Sequence, residues 1–256
     1  MSALEISEDA GVLRLRLNRP DQFNALTGEM VVALVDRLHR ATAEEAVRVV
    51  LVTGTGAAFS AGADLEGADP AAKYDAGSVD GAAVMVDAVI GCDKPVVCGL
   101  NGVAAGVGMS LALACDLVVA TESAALTLAF ARVGLMPDGG ATATLAASVG
   151  RARAMRLALT SDMLSAAEAY DAGLVTHVFP DTEYADQLER ILQRLASGPP
   201  LAFAATKRAI NAATLDRLSE AHAQERRGQS VLLRTKDAGE GMRAFLEKRR
   251  PDFRGR

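Results

Sequence analysis

The sequence predicts an α/β fold, and three observations carry that expectation. Val47 to Thr53, Pro95 to Leu100 and Asp116 to Thr121 are nearly continuous apolar runs rich in valine, as expected of parallel strands buried on both faces. Segments of helical character separate them, which gives strand–helix–strand units with crossover connections. The chain has 256 residues, enough for one large domain or a domain with an appendage, and 50% of them are apolar against 23% charged, in the globular range.

In order along the chain, Leu4 to Ser7 reads as a short strand and Glu8-Asp9-Ala10-Gly11 as a turn. Val12 to Asn18 alternates Leu13, Leu15 and Leu17 with Arg14, Arg16 and Asn18, the period of a half-buried strand. Thr27 suits the N-cap of a helix with Met30, Leu34 and Leu38 on its apolar face. The run Val47 to Thr53 ends in Gly54-Thr55-Gly56, and a loop from Ala61 to Ser78 leads to a helix from Val79 to Ile90. Pro95 to Leu100 runs into Asn101–Gly108, a short helix to Ala114 and the strand from Asp116. Ser165 with Glu168 is a capping box, Gly173 stops that helix, and Leu174 to Phe179 reads as a last strand. Helices are expected over about 182–196, 200–213, 214–234 and 237–249. Gly198-Pro199-Pro200 divides the chain into a core of residues 1–197 and a helical region of residues 198–256. No internal sequence repeat is visible.

Composition excludes several functions. The net charge is −5 and only 4% of residues are aromatic, with no Trp, which argues against a nucleic-acid binder. Cys92, Cys98 and Cys115 are odd in number, lack CxxC spacing and read as buried free thiols of a reduced compartment. His39, His177 and His222 lack metal-site spacing, so no metal is expected. Val103 to Cys115 is too short for a membrane span, and no signal segment is visible, so a cytoplasmic protein without membrane association is expected.

Two segments share one form. Val47–Thr53 leads to Phe59-Ser60-Ala61-Gly62-Ala63-Asp64-Leu65, and Val96–Leu100 leads to Asn101–Gly108. Each is a buried strand followed by a small-residue loop, which lets backbone N–H groups approach a ligand closely. Side by side, two such loops would aim two N–H donors at one developing oxyanion, although tight turns between packed elements would read the same way. Two other motifs are weaker. Ala58-Phe59-Ser60-Ala61-Gly62 approximates a nucleophile elbow with His177 downstream, but its first glycine is Ala58 and no helix follows. Gly54-Thr55-Gly56 lacks the third glycine of a dinucleotide fingerprint, since residue 59 is Phe.

Asn18-Arg19-Pro20 with Phe23-Asn24-Ala25-Leu26, Ala58 to Leu65, Asn101 to Gly108 with Ala114-Cys115-Asp116, Phe130 to Gly140, and the closing Ala244 to Pro251 follow one another over nearly the whole chain. Together they resemble the enoyl-CoA hydratase/isomerase (crotonase) superfamily. The resemblance implies a crotonase-like spiral of ββα units, a C-terminal helical trimerisation region, a homotrimer or homohexamer, and an acyl-CoA substrate. It implies no cofactor, CoA being part of the substrate. Carried over by motif, the oxyanion donors are the N–H groups of Ala63 and Val107, the latter where the family usually has Gly. Ala25, Ala61, Asp64 and Leu65 would line the CoA moiety, with Asp64 also readable as a turn residue. Asp116 reads as a tie for backbone at a strand start.

The departures bear on the reaction. The two glutamates of the family's hydratases are replaced here by Ser110 and Phe130, neither of which is an acid or base near neutral pH. Ser110 would hold a water or simply pack. One carboxylate remains nearby, Asp138 in Pro137-Asp138-Gly139-Gly140, and the arrangement is similar to that of some isomerases of the superfamily. Moving a double bond needs one base, so the carboxylate count favours 3-enoyl-CoA to 2-enoyl-CoA isomerisation over hydration. An apolar setting with Phe130 and Met136 would raise the pKa of Asp138. Asp138 also fits a turn or helix cap. A 2-enoyl-CoA hydratase and an inactive CoA-binding scaffold stay as alternatives. The basic end from Lys248 to Arg256 reads as a solvated tail or as a contact for CoA phosphates through Lys248, across a subunit boundary.

Overall fold

A computed structural model describes residues 2–65 and 76–256, so most of the expected loop before Ser78 lies outside the described residues. The valine-rich runs form one six-stranded sheet in the order β1(Leu4–Asp9), β2(Val12–Leu17), β3(Val49–Gly54), β5(Val96–Leu100), β7(Leu117–Thr121), β10(His177–Phe179). β1 and β2 are an antiparallel hairpin, and every later pairing in this sheet is parallel. A second sheet of short strands has the order β4(Ala58–Ser60), β6(Val103–Ala105), β8(Ala125–Thr127), β9(Leu164–Ser165).

The two sheets are built by one repeated unit. Strands β3 and β4 precede helix α2(Ala76–Gly91), β5 and β6 precede α3(Val107–Ala114), and β7 and β8 precede α4(Ala141–Thr160). Each unit gives its long strand to the large sheet and its short strand to the small one. The repeat exists in backbone geometry without a matching repeat in residues. The linking turns are pinned by two asparagines. Asn24, fully buried at φ +57°, donates to Thr55 O (2.9 Å) and Ala58 O (2.8 Å) and accepts from Arg19 N (2.9 Å). Asn101 accepts from Gly54 N (2.9 Å) and donates to Gly56 O and Ala58 O (both 3.0 Å). Gly54 therefore sits in packed backbone, where a Cβ would lie 2.3 Å from Ala58 O, and a strand, not a helix, follows. The dinucleotide fingerprint fails structurally as well as in sequence.

Helix α1(Gly28–Ala43) is capped by Thr27, which accepts from Met30 N, and buries Met30, Leu34 and Leu38 as the spacing predicts. Those side chains join Leu13, Leu15, Val50, Phe59, Val86 and Leu126 in the main core. The opposite face of the large sheet is covered by α6(Tyr184–Ala196), whose Leu188 and Leu192 pack on Val12, Val49, Leu51, Val97 and Val119. The capping box of Ser165 and Glu168 opens the short helix α5(Ala166–Asp171), with Gly173 at φ +82° just beyond it. Strand pairing at the end of the core spans only His177–Phe179, less than the expected Leu174–Phe179. Helix α4 was not foreseen in sequence. The C-terminal helices are α7(Pro200–Thr214), α8(Leu218–Leu232) and α9(Lys236–Leu246). Cys92 and Cys98 are buried and Cys115 half-buried, all as free thiols. Asp116 Oδ2 accepts from Val96 N at 2.7 Å, the backbone tie expected of it, and also pairs with Lys207 Nζ at 2.8 Å. Among the described residues no helix is long and apolar enough to cross a membrane.

Candidate active site

Strands β4 and β6 run parallel, Ala58 opposite Val103 and Ser60 opposite Ala104, so their trailing loops lie side by side. Two glycines make this approach possible. A Cβ on Gly62, whose φ is +97°, would lie 2.7 Å from Ala105 O and 3.5 Å from Val107 N. A Cβ on Gly108 would lie 2.7 Å from Ser60 O and 2.8 Å from Ser60 Cβ. The two small-residue loops are thus in direct contact at the two expected donors.

Both N–H groups are unspent. Ala63 bridges Leu26 through its neighbours: Leu26 N donates to Gly62 O at 2.7 Å and Asp64 N to Leu26 O at 3.2 Å. In a parallel bridge this pattern turns the N–H of Ala63 itself away from Leu26. Val107 is the first residue of α3, where a helical N–H has no intrahelical acceptor and the dipole is positive. Neither N–H finds an acceptor among the described residues. Gly106, at φ +53° and ψ −129°, adopts a backbone conformation closed to β-branched residues and delivers Val107 to that place.

The turn that carries Asp138 packs on α3 one helical turn beyond Val107. Ser110 is three residues after Val107, about 5 Å along the axis. Its side chain is fully buried, and its Oγ donates to Asp138 O at 2.8 Å. A Cβ on Gly139 would lie 3.1 Å from Ser110 Cβ, so the Pro137–Gly140 turn rests on α3. Phe130 is 8% exposed and its ring lies against Gly106, 3.9 Å from where a Cβ would stand. Positions 110, 130 and 138 therefore converge beside the Val107 donor. Ser110 ties the Asp138 turn to α3 through that hydrogen bond.

Asp138 is 9% exposed, and its pKa is raised from 3.8 to about 7. Burial is the main cause, the nearby Glu225 charge adds to it, and a hydrogen bond from Gln229 opposes it. Sequence reasoning missed these two partners. Gln229 Nε2 donates to Asp138 Oδ2 at 2.9 Å and to Met136 O at 2.8 Å. Glu225 accepts from Gly140 N at 2.7 Å and from Thr142 N and Oγ1 at 3.0 and 2.5 Å, closing the start of α4. His222, Glu225 and Gln229 form one stripe of α8, and that spacing was the available signal.

The remaining expected residues are less uniform. Asp64 is 7% exposed and pairs with Arg19 at 3.3 Å, and Arg19 also donates to Ala25 O at 2.8 Å, so Asp64 braces the Ala25 segment. Ala25 is buried beside it, and Ala61 is exposed with its N–H donating to Phe23 O at 2.8 Å. Leu65 packs in a small apolar cluster with Val79, Val133, Leu135, Leu233 and Met242. Lys248 is exposed at φ +54°, just past α9. The tail beyond it is exposed, as a solvated tail would be, and is tied back to the start of α9. Arg254 N and Gly255 N donate to the Asp237 carboxylate at 2.7 Å, and Lys236 N donates to Arg256 O at 2.8 Å. The hydrolase motif also dissolves. Ser60 is fully buried and donates to Asn24 O at 2.9 Å, while the His177 ring meets Thr176 Oγ1 and stacks on Phe179.

Backbone N–H groups of two neighbouring loops at the ends of parallel strands, with a buried carboxyl-bearing turn packed on the helix that follows, form an arrangement that can stabilise a developing oxyanion. The family model for enoyl-CoA hydratase/isomerase matches residues 7–256, and the chain belongs to that family. It is 42% identical over 253 residues to a probable enoyl-CoA hydratase of Rhodobacter capsulatus, covering 98% of this chain and 97% of that one. It is 39% identical over 253 residues to the 1,2-epoxyphenylacetyl-CoA isomerase of Escherichia coli, covering 97% of each. The crystal structure of an enoyl-CoA hydratase from Mycobacterium avium subsp. paratuberculosis superposes with a TM-score of 0.93 at 43% identity, covering 99% of both chains.

Proposed function

We propose that the protein moves a double bond in an acyl-CoA thioester, converting 3-enoyl-CoA to 2-enoyl-CoA. The thioester oxygen accepts from the N–H groups of Ala63 and Val107. The Asp138 carboxylate takes a proton from C2, and the electron pair passes through the C1–C2 bond onto that oxygen as an enolate. The same carboxyl group returns the proton at C4 as the enolate collapses, leaving the double bond between C2 and C3. The observation that carries this reading is that one buried carboxyl group with a pKa near 7 stands where the other two positions offer only Ser110 and Phe130. A single base titrating near neutral pH serves a reaction that takes and returns one proton. A relative is named 1,2-epoxyphenylacetyl-CoA isomerase, which acts on a different CoA thioester.

Hydration of 2-enoyl-CoA is the second reading, favoured by the relative named a hydratase. Ala25, Ala61, Asp64 and Leu65 are assigned to the CoA side of the site, and Lys248 to a CoA phosphate across a subunit boundary. A homotrimer or homohexamer is in keeping with the exposed Leu201, Ile210, Val231 and Phe245 of the C-terminal helices. The test is a spectrophotometric screen of 2-enoyl and 3-enoyl thioesters of several lengths, with Asp138→Asn alongside. Isomerisation lost by two or more orders of magnitude in that variant is the expected result. Fast hydration of crotonyl-CoA would transfer the assignment to the hydratase. CoA binding without turnover of any thioester would leave a scaffold.

A further inference from the structure

Gln229 is 1% exposed, and its amide is almost fully used. Oε1 accepts from Met136 N at 3.1 Å, while the two N–H bonds of Nε2 go to Met136 O at 2.8 Å and Asp138 Oδ2 at 2.9 Å. A flipped amide would set oxygen against two acceptors and nitrogen against a donor, so the surroundings fix one orientation. The Met136 backbone thus holds the amide, and the amide holds one oxygen of Asp138. The other oxygen, Oδ1, has no hydrogen-bond partner among the described residues.

The charged surroundings of Asp138 also come from α8. Glu225 is 1% exposed, and both its oxygens are taken by the Gly140 and Thr142 donors. His222, one turn earlier, lies 3.7 Å from Glu225 and 3.1 Å from Asp87 of α2. Among the described residues, α3 presents the neutral Ser110 to this turn and α2 the apolar Ala82 and Val86, while Leu218 and His222 of α8 lie against Gly140. Gln229 is therefore a neutral donor to the Asp138 carboxyl, set against the nearby negative charge of Glu225. We propose that Gln229 is a positioning residue for the base: it fixes which oxygen of Asp138 exchanges the proton and donates to the other as the carboxylate forms. This inference rests on the isomerase reading above.

The test uses the full-length protein as Gln229→Leu, which keeps the bulk and removes the donors, and as Gln229→Glu, which restores a donor only when protonated. Two readouts are taken across pH 5 to 9.5: kcat and KM for a 3-enoyl-CoA, and a 13C NMR titration of the Asp138 carboxyl. In Gln229→Leu, kcat at pH 7 should fall about tenfold with KM within roughly threefold, and the acid limb and the NMR midpoint should both move to higher pH. In the Asp138→Asn background the same change should cost no further rate. Gln229→Glu should show the upward midpoint as well, so either variant serves if the other does not fold. An unmoved midpoint with the activity of Asp138→Asn abolished would overturn the role of Gln229 alone. Full activity in Asp138→Asn would overturn the isomerase reading instead.

Discussion

Asp138→Asn should leave the protein nearly inactive yet more stable above neutral pH. In the unfolded chain this carboxyl group ionises near 3.8, and in the folded protein near 7, because burial penalises the charge. Between those values the folded chain holds a proton that the unfolded chain has lost, so stability falls as pH rises from about 4 to about 7 and then levels off. The gap corresponds to about 4 kcal/mol at most. Asparagine keeps the shape and an oxygen to accept from Gln229, and removes the charge that Glu225 repels. At pH 8.5 the variant should be more stable than wild type by about 2–4 kcal/mol, or about 5–10 °C in Tm for a chain of this size. At pH 4.5 the gap should shrink to about 1 kcal/mol. The assay is thermal and urea unfolding at both pH values and one protein concentration, with kcat measured in parallel. Wild-type kcat should be about tenfold lower at pH 6 than at pH 8. A variant that melts at or below the wild type at pH 8.5 would refute the buried-charge argument. A flat kcat across that range would remove Asp138 as the titrating base.

Other outcomes follow from the same geometry. Gly108→Ala places a Cβ 2.7 Å from Ser60 O, and should cost more than about 2 kcal/mol in denaturant unfolding and separate the two donor loops, with kcat/KM down about a hundredfold. Lys207→Met strips the partly exposed Asp116 of its partner and frees the carbonyls of Val89 and Lys94. It should lower stability by about 3 kcal/mol at pH 8 and by less at pH 5, since burial already raises the Asp116 pKa and protonation relieves the unpaired charge. Asn24→Ala removes three hydrogen bonds at a positive-φ position and should cost about 2–4 kcal/mol at every pH from 5 to 9. Lys248→Ala should raise KM for acyl-CoA several-fold at low salt with kcat unchanged, an effect that fades at high ionic strength.

Elements with their own local logic were legible in the sequence. The Thr27 cap with its apolar face, the Ser165–Glu168 box and the valine runs each state their structure in consecutive residues. The second sheet was not legible, because strands of three residues such as Ala58–Ser60 are too short to show a period. Helix α4 was hidden by its alanine-rich composition and by Gly150, whose φ of +76° and ψ of 163° break the helical pattern midway. The donor loops were legible through the glycines that their contact demands. Gln229 and Glu225 were not, for a physical reason. The buried stripe of α8 is polar because it covers a turn full of N–H groups and a carboxylate, and a polar stripe looks in sequence like a solvent face.

The order in which the chain is made gives the Gln229–Asp138 bond a temporal meaning. These partners are 91 residues apart, and both donor loops precede Asp138 in the chain. During translation the loops of residues 63 and 107 emerge before Asp138, and Asp138 before α8, so the carboxyl group meets its Gln229 donor only once the last helices have docked.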